Sequence, residues 1–250
     1  AFYLAAVRDG FQHLNNPVEP KLDTISRKNS KARDVTHRRP LEMEAWELIV
    51  RKNREGDFAF ARSLGPKRHH YTLRNPETGE YDHVFWPAEP ILVDIILNSA
   101  MRHISARWVD SGQGDEELLD TVSLKMIPNP HPSATLGRQE SFLQLVTVPD
   151  KVQRKLVGMY VGINKSGKPF VIPWCDPEII RSVERMRALQ AKYNPIKSPV
   201  KPINRRLRQL TRGVEERFPD IYPLFADPAN PSNLAVSDAK VRTYWKELLR

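Results

Sequence analysis

The stretch 90–107 constrains the fold most, because apolar residues dominate it. Its spacing predicts one long helix of about 27 Å, at about 1.5 Å per residue. A helix that is apolar nearly all round belongs in the interior of a domain. We therefore expect this helix to be the most buried element of the chain.

Two hairpins and several further helices are predicted around this segment. The turn at 75–79, followed by the aromatic stretch 81–86, indicates a short hairpin. A strand at 142–148 precedes a second hairpin formed by 156–163 and 170–172. Helices are expected at 41–54, 177–193, 203–217 and 237–250, the second and fourth capped by Asp176 and Ser237. The expected fold class is α+β, mainly α-helical with a small antiparallel sheet.

The chain is strongly basic. Its Lys and Arg residues number 39 against 30 Asp and Glu, which gives a net charge of +9 and a pI near 9.7. Such a balance favours polyanionic partners through phosphate neutralisation and counterion release. Charge alone indicates affinity and not specificity, since nucleases, ribosomal proteins and membrane-surface proteins are equally basic.

Cysteine content and hydropathy exclude several classes. The single cysteine, Cys175, permits neither an intramolecular disulfide nor a cysteine-rich metal site, and it fits a reducing, cytoplasmic setting. No apolar run approaches the roughly 20 residues that span a bilayer. The sequence therefore predicts neither a membrane partner nor a metal or other cofactor.

The sequence divides near residue 39. Residues 1–16 are mostly apolar and end at an Asn-Asn-Pro breaker, so they are interpreted as the tail of an upstream region. From Lys21 to Arg39 the chain is basic and poor in apolar residues, which indicates a linker. That linker is either a solvated tether or a positive strap along a phosphate backbone. A compact domain is expected over residues 40–250.

Arg102 is the most informative single residue. On one continuous helix it would lie on the same stripe as Ile91 and Ile95, and that stripe should be buried. A buried guanidinium needs an anionic partner. The partner is either a local carboxylate, Asp94 or Asp110, or a bound phosphate.

The segment 97–115 around Arg102 resembles the first catalytic-arginine box of tyrosine recombinases, the phage-integrase superfamily. It is most similar to divergent large integrases of bacterial mobile elements, in which Arg-x4-Arg, an apolar pair and Asp-Ser-Gly recur together. Arg102, Arg107 and the run Asp110-Ser111-Gly112 match that pattern. Ser105 departs from it, since the family has Glu or Gln there. The resemblance implies that Arg102 contacts the scissile phosphate, with Arg107 either a second phosphate contact or the ion-pair partner of Asp110.

The hairpin turn 162–169 superficially fits a phosphate-binding Gly-x4-Gly-Lys loop. That match fails because Pro169 replaces the magnesium-binding hydroxyl and a strand follows where a helix is required. The turn is instead similar to the β-hairpin of the recombinases. By that resemblance Lys165 is the general acid that protonates the leaving 5′ oxygen, and Lys168 is the second candidate. An ordinary lysine-rich turn remains the alternative.

Two later helices separate cations from apolar residues. On the first, Ile179, Val183 and Met186 share one face, and on the second Leu207, Leu210 and Val214 do so. Like charges at helical spacing repel unless an anion bridges them, which indicates either a solvated face or a DNA-facing surface. The expected DNA-binding residues are Arg107, Lys168, Arg181, Arg185, Lys192, Arg205, Arg208 and Arg212.

The resemblance covers roughly residues 40–250 and implies a partial recombinase catalytic domain. The family's reaction uses two arginines, a histidine, the hairpin lysine and a tyrosine nucleophile, without metal or cofactor. No His-x-x-Arg box occurs in the sequence, and Tyr244 lies where the family has a structural helix. The missing groups are expected beyond Arg250, so the chain itself is expected to bind DNA without cleaving it.

The implied partners are double-stranded DNA and further copies of the protein on DNA during synapsis, in a nucleoid-associated setting. The alternative is a non-catalytic basic nucleic-acid-binding protein in which Arg102 belongs to a structural ion pair. A basic scaffold for acidic proteins is the third possibility.

Overall fold

Five helices and three small antiparallel sheets make up the part of the chain that the structure describes. This structure is a computed structural model, and it describes residues 41–66, 68–148, 153–164, 167–202, 218–232 and 234–250. The predicted α+β class is confirmed. The helices are α1 (Met43–Ser63), α2 (Ala88–Ser99), α3 (His103–Arg107), α4 (Pro177–Tyr193) and α5 (Asp238–Leu248).

The sequence predicts one small antiparallel sheet, whereas the described residues form three separate antiparallel sheets. The first pairs β1 (His70–Arg74) with β2 (Tyr81–Phe85), and the second pairs β3 (Glu117–Asp120) with β4 (Lys125–Pro128). The third has the order β5 (Leu143–Thr147), β6 (Lys155–Val161) and β7 (Phe170–Ile172). Both predicted hairpins are present, and the β3–β4 hairpin is an addition.

Helix α2 lies at the centre of the core, as its apolar composition predicts. Ile91, Leu92 and Ile95 are fully buried, and α1, α4 and α5 all pack against this helix. Even its polar Asp94 is buried, where both carboxylate oxygens accept from Nε of Arg54 at 2.9 Å. None of the described helices is long and apolar enough to cross a bilayer.

The prediction of one continuous helix over 90–107 is wrong. Helix α2 ends at Ser99, and Ala100 has left-handed backbone angles (φ 53°, ψ 20°). Helix α3 begins only at His103. Side chains at the end of α2 compete for the helical carbonyls: Asn98 donates to the Asp94 carbonyl at 2.9 Å and Ser99 to that of Ile95. Such local bonding favours termination over continuation.

The capping predictions are confirmed. Asp176 accepts a hydrogen bond from the backbone N–H of Glu178 at 2.7 Å, and Ser237 accepts one from Lys240 at 3.2 Å. These bonds satisfy N–H groups that have no partner within a helix. The expected apolar face of α4 is likewise buried.

The predicted domain boundary at residues 39 and 40 stays a prediction, since residues 1–40 lie outside the described ranges. The expected helix at 203–217 also lies outside them. Within the described part, residues from Glu42 onward belong to one compact unit.

Arg138 lies at the centre of a buried cluster of charges formed with the loop that follows α3. Its guanidinium pairs with Asp110, with Asp115 at 3.3 Å and with Glu140 at 3.2 Å. It also lies 5.2 Å from the ring centroid of Tyr222. Asp110 and Asp115 are buried, so the arginine neutralises carboxylates that would otherwise be desolvated and unpaired.

We expect Arg138→Ala to lower the free energy of unfolding by about 3–5 kcal/mol, because it leaves buried carboxylates without a counter-charge. Urea denaturation at neutral pH measures this. Arg181→Ala is the control: its pair with Glu178 is exposed, so the loss should stay below about 1 kcal/mol. Equal small losses in both variants would show that the cluster is not a major source of stability.

Candidate functional site

An open cavity of about 760 Å³ lies between the α2–α3 junction and the third sheet. The junction contributes Ser99, Ala100, Met101, Arg102 and Ser105, and the β6–β7 hairpin contributes the rest of the lining. The cavity therefore brings together two segments that are about 60 positions apart in sequence. The hairpin residues that line it are Val161, Asn164, Phe170 and Ile172.

Arg102 lies at the start of α3, and its exposed side chain contradicts the expected buried stripe. The cause is the left-handed Ala100, which rotates the chain away from the axis of α2. Within the described ranges the Arg102 guanidinium has no ion pair. The two carboxylates expected to neutralise it are engaged elsewhere: Asp94 pairs with Arg54, and Asp110 with Arg138. The structural ion pair of the alternative interpretation is therefore not found.

Arg107, the other arginine of the box, is buried. Its Nε donates to the carbonyl of Val236 at 2.7 Å, and burial lowers the pKa of its guanidinium. The alternative in which it pairs with Asp110 is wrong: no ion pair joins these two described residues, and the Asp110 carboxylate pairs with Arg138. Its role as a phosphate contact stays a prediction.

Asp110 anchors the loop that follows α3. Its carboxylate accepts hydrogen bonds from the backbone N–H groups of Gly112 at 2.7 Å and Tyr222 at 3.0 Å. Burial nevertheless raises the pKa of Asp110 to about 7, against the lowering effect of Arg138. The Asp-Ser-Gly match thus corresponds to a tight turn: a Cβ on Gly112, at φ +83°, would lie 2.8 Å from that of Ser141.

The hairpin carries the two candidate lysines. Lys165 lies outside the described residues, immediately after Asn164, which lines the cavity. The Asn164 side chain closes the turn by donating to the carbonyl of Lys168 at 2.7 Å. Lys168 is exposed. Their roles as general acid and DNA contact stay predictions.

The cations of α4 already have acidic partners within the chain. Arg181 pairs with Glu178, Arg185 with Asp57, and Lys192 with Glu77 at 2.8 Å. An external anion is therefore not needed to relieve repulsion along this helix, contrary to the argument from spacing. Their contact with DNA stays a prediction, and the expected basic residues Arg205, Arg208 and Arg212 lie outside the described ranges.

Tyr244 is a core residue of α5. It is fully buried, its hydroxyl donates to Oδ1 of Asn53 at 2.6 Å, and burial raises its pKa. A tyrosine nucleophile needs access to phosphate, so this environment agrees with assigning Tyr244 a structural role. In the described ranges no cluster of His, Cys, Asp or Glu is suited to hold a metal ion.

Sequence reasoning missed three residues of this region. Asn164 and Phe170 line the cavity, and Arg138 neutralises the loop beyond α3. Phe170 had a usable signal, because it begins a short strand directly after the hairpin turn. Arg138 had none, since its partners are set by the fold and not by spacing.

An arginine and described residues of the β6–β7 hairpin thus line one open cavity, an arrangement that agrees with the resemblance to integrases. Residues 69–202, more than half of the 250-residue chain, match the family model described as "Putative integrase". The chain belongs to this integrase family, which confirms the resemblance to phage-integrase-type proteins. No curated protein and no solved structure matches it.

We expect Arg102→Ala to change the free energy of unfolding by less than about 0.5 kcal/mol, since the exposed guanidinium has no ion pair in the described structure. Arg107→Ala should lower it by about 1–3 kcal/mol, because the carbonyl of Val236 loses its donor in a buried setting. Thermal and urea unfolding of both variants test the contrast. A large loss in Arg102→Ala would restore the structural interpretation.

Proposed function

We propose that the protein takes part in DNA integration or recombination by phosphotyrosine-type strand exchange, with Arg102 at the scissile phosphate. One observation carries the proposal: an exposed arginine, without an ion pair in the described ranges, shares an open cavity with the hairpin of the candidate lysine. The integrase family match spans both segments. Double-stranded DNA is the proposed substrate, and copies of the protein associate on it during synapsis.

In the proposed reaction a tyrosine hydroxyl releases its proton to solvent as its oxygen attacks the phosphorus, the bond to the 5′ oxygen breaks, and a 3′-phosphotyrosyl link forms. Lys165 donates the proton that the leaving 5′ oxygen takes up. Arg102 stabilises negative charge on the non-bridging oxygens as the transition state develops. A preorganised cation in a partly dehydrated site supplies this stabilisation without solvent rearrangement.

The remaining groups of the reaction are assigned only by resemblance. The histidine and second arginine of the family follow the hairpin, whereas the last histidine of this sequence is His131. Because the Tyr244 hydroxyl is buried and bonded to Asn53, we assign the nucleophile to another tyrosine. The test below therefore uses the complete protein in which this chain occurs.

Cleavage by the proposed mechanism predicts a covalent protein–DNA adduct. A binding site is first selected from random duplexes, and a nicked form is then made in which cleavage releases a short strand and traps the adduct. We expect a denaturation-resistant adduct in the wild type, and its loss by at least about a hundredfold in Arg102→Ala. A gel measures both.

Two controls sharpen this test. Arg242→Ala removes another arginine that is 65% exposed in its side chain but lies on α5, and it should retain the adduct. Lys165→Ala should be rescued when the leaving 5′ oxygen is replaced by sulfur, which needs no proton donor. Wild-type adduct levels in Arg102→Ala would refute the assigned role.

The basic face of α4 makes a separate prediction about binding. If Arg181 and Arg185 exchange their internal carboxylates for phosphates, the double change to Glu should weaken duplex affinity and reduce the slope of log K against log salt by about 2. Arg242→Glu with Lys246→Glu alters net charge equally and is the control. If the slope of log K against log salt is the same in the two double variants, Arg181 and Arg185 form ion pairs within the chain and do not contact DNA.

A further inference from the structure

We propose that the cavity beside Arg102 binds an unpaired nucleoside of the DNA, whose base stacks on Phe170 while the adjoining phosphate contacts Arg102. This inference rests on the proposed function, since it names what else that site holds. A nucleoside site is a separate claim from the proposed phosphate contact, because binding a phosphate alone requires no aromatic surface and little volume.

Size is the first argument. The cavity has a volume of about 760 Å³, whereas one water molecule occupies roughly 30 Å³ of the liquid. One phosphate group would leave most of that space empty. Volumes of about 300–1,000 Å³ are typical of sites for whole small molecules, so a sugar and a base fit beside the phosphate.

The chemistry of the lining is the second argument. Ala100, Met101, Val161, Phe170 and Ile172 give the cavity a largely apolar wall, and Arg102 supplies its cation. A binding site for phosphate alone would be lined by N–H groups and charged side chains. An apolar wall with one guanidinium matches a ligand that has an anionic end and a flat, weakly polar end.

Phe170 is the third argument. Phe170 is 49% exposed although it is a large aromatic residue on a strand. Side chains alternate between the faces of a strand, and accordingly Phe170 and Ile172 line the cavity while Val171 does not. An accessible ring that lines the same cavity as a cation offers a base a stacking surface and its phosphate a counter-charge, as in proteins that bind single-stranded nucleic acid.

An unpaired base is the expected occupant, because a base inside a duplex has both faces covered by its neighbours. Extruding a paired base costs a few kcal/mol, and the cost is least for a base that is already unpaired. A preference should therefore be visible in equilibrium binding when the DNA supplies such a base.

Three duplexes of the same sequence test the proposal: one fully paired, one with a single bulged adenosine, and one with an abasic residue in place of that adenosine. The abasic bulge bends the duplex in the same way but offers no ring. We expect the protein to bind the adenosine bulge at least about fivefold tighter than the abasic bulge, as measured by fluorescence anisotropy. A 2-aminopurine in the bulge should be quenched on binding.

Variants of Phe170 test whether its ring causes the preference for the adenosine bulge over the abasic bulge. Phe170→Ala should abolish the difference in affinity between the two bulges, while Phe170→Trp should retain that difference. Val171→Ala is the matched control, since Val171 is 41% exposed on the same strand but lies outside the cavity lining. Circular dichroism checks that each variant is folded.

The outcomes separate this inference from the proposed function. Tight binding to the paired duplex, with equal affinity for both bulges or with a preference that survives Phe170→Ala, overturns the nucleoside site only. No measurable affinity for any of the three duplexes contradicts the proposed function and this inference together.

Discussion

The pairing of Arg138 with Asp110 and Asp115 is the interaction on which the rest of this site depends. It draws the loop after α3 onto the segment before β5, and Asp110 also accepts the backbone N–H of Tyr222. Three stretches distant in sequence are thereby held together by the Arg138 guanidinium and the Asp110 carboxylate. Because the carboxylates are buried, displacing Arg138 would remove their counter-charge, and this disfavours other arrangements of the loop after α3.

That fixed loop also determines what the arginine box does. Arg107 bonds to the Val236 carbonyl and Asp110 pairs with Arg138, whereas the side chain of Arg102 is exposed and has no ion pair within the described ranges. Of the two arginines in the box, Arg107 makes a buried hydrogen bond within the fold, and Arg102 lines the open cavity. The pattern Arg-x4-Arg therefore combines two different physical roles.

Local signals predicted much of the fold from the sequence. Turn residues located the hairpins, and Asp176 and Ser237 marked the helix starts, because capping and turn formation depend on near neighbours. The break at Ala100 was missed since apolar periodicity continued through it, and only the back-bonding of Asn98 and Ser99 signals the end. Of the two grounds on which Arg102 was singled out, the expected burial is therefore wrong, whereas the resemblance of segment 97–115 to the arginine box did not depend on it.

The ion pairs of the structure could not be predicted from the sequence. They change how the net charge is interpreted, because several cations are already neutralised within the chain. Asp57 reaches Arg185, and Glu77 reaches Lys192, across more than a hundred positions, which no helical spacing rule anticipates. A cation that already has a carboxylate must give it up before it binds phosphate, so its net contribution to DNA affinity is reduced by the energy of that pair. Arg102 carries no such penalty within the described ranges. The surface proposed to bind DNA is therefore better located, among the described residues, by the cations that have no ion pair than by where basic residues are most numerous.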